Sequence, residues 1–382
     1  MSNQKPQTRQ THLDALRGTL MILMAIDHAS YFIAQRHVGE FWGIPLPRHP
    51  DALSFLTRFV THFSAPGFFL LMGAGLAFFV FSRRNAGWTD VAIKKKLAWR
   101  GLLLIGIQLT VENIAWLIGV GGVPYEVPGG GDSVLLHFGV LYGLGASMIA
   151  AALLIHLNSN ALLFIGAICA QAAQFLTPDA GQANTLFSPL TRLLLVPGQT
   201  NIVQVFYPLV PWLGLALFGL VFGRWILADS VRASRRALAL GGSFLALFLL
   251  VRVGNGFGNI HPIEGPTWMD ALNVTKYPPS LAYIFLTLGV NLLLLALFFR
   301  VAPFMRQRAN FVLVFGQTPL LFYIAHLYLY AVMGWIVTRF WEIPLAAMYL
   351  FWALGLALLY PLCKRYKTFK DGKPLESAWR MF

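Results

Sequence analysis

Charge is scarce in this chain, cysteine is nearly absent, and no polar stretch is long enough to form a separate soluble domain. Only 12% of the 382 residues are Asp, Glu, Lys or Arg and two are cysteine, whereas 57% are hydrophobic, with 31 Phe and 11 Trp. A mean hydropathy of +0.64 excludes an ordinary soluble domain and points to a polytopic membrane protein. Cys169 and Cys363 fall on opposite faces of the expected membrane, so they form neither a disulfide framework nor a metal site. No Cys/His spacing resembles a zinc motif and no phosphate-binding glycine loop opens a helix after a strand, so no metal is expected. The segment MSNQKPQTRQTH is too polar for a signal peptide.

What is present is a succession of apolar runs. At about 20 residues per span they divide into ten helices, at about 15–35, 54–82, 97–118, 133–155, 161–178, 202–226, 237–255, 279–300, 311–337 and 344–363. This predicts an all-α, single-domain membrane protein over 1–382, with a short segment 1–12 before the first span and a basic tail 364–382. The net charge of +14 need not mean nucleic acid, because position explains it. With a cytoplasmic N-terminus, 22 of the 29 Lys and Arg fall on the cytoplasmic side, six on the other, and Arg58 lies within a span. That is the positive-inside bias expected if both termini are cytoplasmic. The Gly-rich 121–132 reads as a flexible extracytoplasmic loop, and Pro66, Pro208, Pro211 and Pro319 read as helix kinks.

The first span, LDALRGTLMILMAIDHASYFI, carries Asp14, Arg17, Asp27 and His28. Ionisable groups at membrane depth are costly and usually face a protein interior or a wet cavity. Eleven helical steps put Arg17 and His28 roughly 16 Å apart and about 20° from the same face. Asp14, one turn before Arg17, can pair with it. On the next helix Arg58 and His62 are one turn apart, and His62 reaches the depth of His28. Glu112, His137 and His326 lie in the outer halves of their helices, with Lys276 and Tyr277 at an outer helix entry. These groups are expected to converge on one extracytoplasmic cavity. A histidine beside a carboxylate suits proton abstraction from an alcohol or amine, and Arg58 would orient an anion or an oxyanion. Arg17 would meet a phosphate-bearing donor from the cytoplasm. The same buried groups would also suit a proton-coupled transporter, and paired histidines a haem.

The order LDALRG, LMAIDH and THFSAPGFFLLMGAG resembles the membrane acetyltransferases related to heparan-α-glucosaminide N-acetyltransferase, especially their short bacterial members. LYGLGASMI, PLVPWLGLALFGLVFGR, TKYPPSLAYIFLTLG and GQTPLLFYIAHLYLY extend the resemblance along the chain. The Arg-x10-His spacing of Arg17 and His28 is similar to that of membrane acyltransferases acting on glycans. The resemblance implies acetyl-CoA as co-substrate, entering from the cytoplasm, and a sugar, glycan or other small acceptor on the far side of a bacterial inner membrane. A second copy of the chain is a further candidate partner, as a homodimer. The resemblance also implies a catalytic histidine. His28 with Asp27 fits the glycan-acyltransferase pattern, His62 is closer to the second motif, and His49 is nearest by counting.

Overall fold

A computed structural model of the protein describes residues 10–36, 38–118, 127–129, 136–185, 187–374, 377 and 379. Most of the Gly-rich 121–132 segment, with Lys5, Arg9 and Arg380, lies outside the described residues. The chain is almost wholly helical. It opens with α1 (Thr11–Phe32), α2 (Ala52–Thr61) and α3 (Ser64–Asn85), then α4 (Asp90–Ile107), a π-helical turn Gln108–Glu112 and α5 (Asn113–Ile118). After strand β1 (Leu136–Phe138) come α6 (Val140–Leu154), α7 (Ser159–Leu176) and α8 (Pro189–Leu194). Strands β2 (Gly198–Gln199) and β3 (Val203–Val205) precede α9 (Leu209–Ala228) and α10 (Ser230–Gly254). The chain continues with α11 (Trp268–Leu272), α12 (Leu281–Arg308), α13 (Asn310–Gln317), α14 (Pro319–Val337) and α15 (Leu345–Asp371). Counting α2–α3 and α4–α5 as one run each, eight helices among the described residues are long and apolar enough to cross a membrane. The protein is an all-α polytopic membrane protein.

Helix boundaries depart from the sequence expectation where local chemistry intervenes. The fourth segment starts as β1, not as a helix, because residues 136–138 pair in parallel with β3 and Gly139 is extended at φ −88°, ψ −152°. His137 therefore sits on a strand. Pro66 and Pro211 fall in the first turns of α3 and α9, Pro319 opens α14, and Pro208 precedes α9. Pro66 and Pro319 follow the breaks between α2 and α3 and between α13 and α14, so they kink the expected spans 54–82 and 311–337, whereas Pro208 and Pro211 begin α9, where the missing proline N–H has no intrahelical partner to lose. Helix α15 runs eight residues into the expected tail, to Asp371, whose carboxylate takes Lys367 Nζ at 2.9 Å.

Helix α1 is the buried axis, in contact with α2, α3, α12, α13, α14 and α15. Small residues permit this. A Cβ on Gly316 would stand 1.9 Å from the Asp14 carbonyl oxygen, and one on Gly18 would stand 1.9 Å from that of Val312. Backbones that approach this closely require glycine on both sides of the crossing. The peripheral helices α7, α10 and α15 instead present Phe175, Val253 and Leu350 outward, as a lipid-facing surface does. Two arginines outside the site staple backbone carbonyls. Arg252 donates to those of Ala271, Asp270, Asn273 and His261, and Arg224 caps the end of α6 through Leu157 and Ile155.

Candidate active site

The ends of α1 open into two cavities. At its N-terminal end a cavity of 360 Å³ is walled by Leu, Met and Phe side chains and carries Arg17, Arg100 and Lys370. At its C-terminal end a smaller, more polar cavity of 170 Å³ is lined by Asp27, His28, Glu112, His137, Lys276 and Tyr277. Val140 and Tyr323 line both, so the cavities abut there.

Arg17 is held as the sequence spacing requires. Its Nη1 donates to Asp14 Oδ1 at 3.0 Å and to the Gly316 carbonyl at 2.8 Å, while Gln317 Nε2 donates to Asp14 Oδ2 at 3.2 Å. Asp14 does not line the cavity; it positions the residue that does. Arg100 of α4 and Lys370 of α15 join Arg17 from helices far apart in sequence, and neither was among the expected site residues.

Around His28 the hydrogen bonds fix the protonation pattern. His326 Nδ1 lies 2.8 Å from the Phe322 carbonyl oxygen, which can only accept, so Nδ1 carries the proton. In the neutral ring His326 Nε2 is then an acceptor. His28 Nδ1, 2.6 Å away, must donate to it. That leaves His28 Nε2 unprotonated, without a protein partner among the described residues, on a ring that lines the polar cavity. His28 therefore takes its orientation from His326, not from its neighbour Asp27, with Trp116 packed edge-on at 5.4 Å.

Asp27 belongs to a different network. Arg58 Nη1 donates to Asp27 Oδ1 at 2.7 Å, while its Nε and Nη2 donate to the two oxygens of Glu40, each at 2.7 Å. Glu40 lies between α1 and α2, and its side chain is 1% exposed. Burial would raise its carboxyl, but Arg58 and His62 together hold it well below the usual carboxylate range. His62 Nε2 is 3.3 Å from Glu40 Oε1, close enough for an electrostatic contact but without hydrogen-bond geometry. With both Glu40 oxygens and Asp27 engaged, Arg58 is a clamp between α1, α2 and the connecting loop.

The π-helical turn displaces Glu112 from a regular helical course and brings it to the cavity, a common use of such turns. Its Oε1 accepts from Trp116 Nε1 at 3.1 Å, and Oε2 has no hydrogen bond of good geometry among the described residues. His137 Nδ1 meets Gln204 Oε1 of β3 at 3.1 Å. Burial lowers the His137 pKa to about 4 against a smaller opposing effect of Gln204, so the ring is neutral at pH 7. Lys276 donates its amide to the Glu40 carbonyl at 3.0 Å and lays its ammonium over the Tyr277 ring at 5.0 Å.

Of the expected cluster, Asp27, His28, Glu112, His137, Lys276 and Tyr277 meet in one cavity. His326 stands behind His28, and His62 stands behind Glu40; neither lines the cavity. Arg58 and His49 line a separate cavity of 250 Å³, which shares Asp27 with the first. Sequence reasoning missed Glu40, which sits in a connecting loop with no spacing signal. It also missed Tyr323, although that residue lies three positions before His326 on the same helix. No cluster of three or more His, Cys, Asp or Glu among the described residues has a metal-binding arrangement.

No curated protein matches the chain in sequence. A buried histidine with one free ring nitrogen, at the meeting of a cation-mouthed apolar cavity and a polar one, is equipment for group transfer. The family model described as heparan-alpha-glucosaminide N-acetyltransferase, catalytic, matches residues 9–254, so the chain belongs to that family of acetyltransferases and is a multi-pass membrane enzyme.

Proposed function

We propose that the protein transfers an acetyl group from cytoplasmic acetyl-CoA, through its own interior, to a sugar, glycan or other small acceptor on the opposite side of a bacterial inner membrane. The observation that carries this reading is the end-to-end contact of the two cavities beside His28. The basic residues concentrated at one set of helix ends support assigning the α1 N-terminal side to the cytoplasm. Arg17, Arg100 and Lys370 would take the donor's phosphates, and the apolar walls its pantetheine arm. The thioester would then lie near Tyr323, with the acceptor in the polar cavity.

His28 Nε2 removes a proton from the acceptor's amine or hydroxyl as that group attacks the thioester carbonyl. The carbon–sulfur bond breaks and CoA leaves as the thiolate, which takes the proton back from His28. His326 holds the reactive tautomer throughout. Glu112 Oε2 accepts a hydrogen bond from the acceptor, and Asp27, Arg58 and Glu40 keep α1 and α2 in register around the site. His62 supports Glu40, and His49 lies one cavity away.

Purified protein incubated with labelled acetyl-CoA and an amino-sugar acceptor should yield labelled sugar, with no lasting label on protein. Folded His28→Ala should lose the transfer by ~10²-fold or more. Full transfer by that variant removes His28 from the chemistry, and stable label on His28 replaces direct attack by a two-step route.

A further inference from the structure

Lys276 is 4% exposed and lines the polar cavity. Among the described residues no carboxylate lies within ion-pair distance of its Nζ, which instead lies over the ring of Tyr277. The acid nearest in role, Asp27, is already engaged by Arg58 at 2.7 Å, and Glu40 spends both oxygens on the same guanidinium. An ammonium removed from water without a counter-charge is strongly unfavourable, and a cation–π contact offsets only part of that. The cavity therefore holds a cationic pole awaiting an anion. It also holds an acceptor pole, Glu112 Oε2, buried without a hydrogen bond of good geometry among the described residues. One ligand satisfies both if it carries a hydroxyl or amine hydrogen and an acid group.

We propose that Lys276 is the specificity residue for an acidic acceptor, one whose carboxylate, sulfate or phosphate ester seats on Nζ while its nucleophile faces His28 Nε2. This rests on the acetyl-transfer reading given above and names the acceptor class for it. The three cations of the other cavity are separate from this site, so the donor's phosphates do not supply the missing charge.

The test compares glucosamine with glucosamine 6-sulfate as acceptors for wild type, Lys276→Arg and Lys276→Met, reading kcat/KM. The sulfated sugar should be preferred by ~10-fold or more in wild type, as a charge-assisted hydrogen bond implies, and the preference should fall to near unity in Lys276→Met. Lys276→Arg, which keeps the charge, should retain most of it. A wild-type ratio near one overturns the proposal whether or not the Met variant folds, and so does an undiminished ratio in a folded Lys276→Met. Thermal stabilisation gives a second readout that needs no turnover. The sulfated sugar should stabilise wild type more than inorganic sulfate or glucosamine does, and should lose that margin in Lys276→Met. Equal stabilisation by inorganic sulfate, with no acceptor preference, would mark a free-anion site and overturn the acceptor assignment. If neither sugar is acetylated but the Lys276-dependent stabilisation persists, the anion site stands and the acetyl-transfer reading falls.

Discussion

Replacing Arg58 by Met tests whether the clamp beneath the site is structural. Arg58 is 6% exposed and the Glu40 side chain 1%, so solvent screens their interaction little, while Asp27 at 16% is screened somewhat more. Removing the guanidinium takes the bidentate partner from the fully buried Glu40 and a hydrogen bond from the partly buried Asp27, which sets the expected loss at about 3–5 kcal/mol. Glu40→Gln keeps a hydrogen-bonding group against Arg58 and leaves the Asp27 pair intact, so its loss should be smaller, about 1.5–3 kcal/mol. The double variant Arg58→Met, Glu40→Gln removes both buried charges together and should be more stable than the sum of the single losses allows, with a coupling of about 0.5–3 kcal/mol. Denaturant unfolding in mixed micelles, followed by tryptophan fluorescence, measures all three. If Arg58→Met lies within about 0.5 kcal/mol of wild type, or if the single losses simply add, the clamp argument is wrong.

Three further outcomes follow from the same geometry. His326→Leu should cost ~10²-fold in transfer and change its pH profile, because His28 loses the acceptor that fixes its tautomer, whereas His326→Gln, whose amide oxygen can accept from His28 Nδ1, should restore part of the rate. Tyr323→Ala should widen the junction of the two cavities and raise acetyl-CoA hydrolysis in the absence of acceptor, read as free thiol release; unchanged hydrolysis would separate Tyr323 from the passage. For Glu40 the folded pKa is depressed below the unfolded value, so its contribution is fully present above the ordinary glutamate range and lost as pH falls through the folded value. Stability should therefore decline on acidification below about pH 4.5, with a shallower decline in Glu40→Gln.

The parts of the site that repeat along a helix were legible in the sequence. Asp14 and Arg17 are three residues apart and pair, and Arg17 and His28, eleven apart, reach opposite cavities from one helix. The grouping of Asp27, His28, Glu112 and His137 also followed from depth alone. Partnership did not. Which residue holds His28 depends on how α1 crosses α14, a crossing set by glycine contacts that carry no periodic signal. Adjacency in sequence favoured Asp27, but residues i and i+1 on a helix point in different directions, and Asp27 faces Arg58. Glu40 was hidden for a related reason: a loop acid between two spans looks solvated until the fold buries it. His137 lies on a strand that periodicity cannot tell from a buried helical turn, because the apolar run around it is short.

The central claim is that donor and acceptor meet through the protein from opposite sides of the membrane. Its most direct test uses proteoliposomes with an amino-sugar acceptor sealed inside and labelled acetyl-CoA added only outside. For molecules whose α1 N-terminal side faces outward, labelled acceptor should accumulate in the lumen, and His28→Ala should abolish it. Labelled acceptor that forms only when both substrates share one compartment would contradict the account.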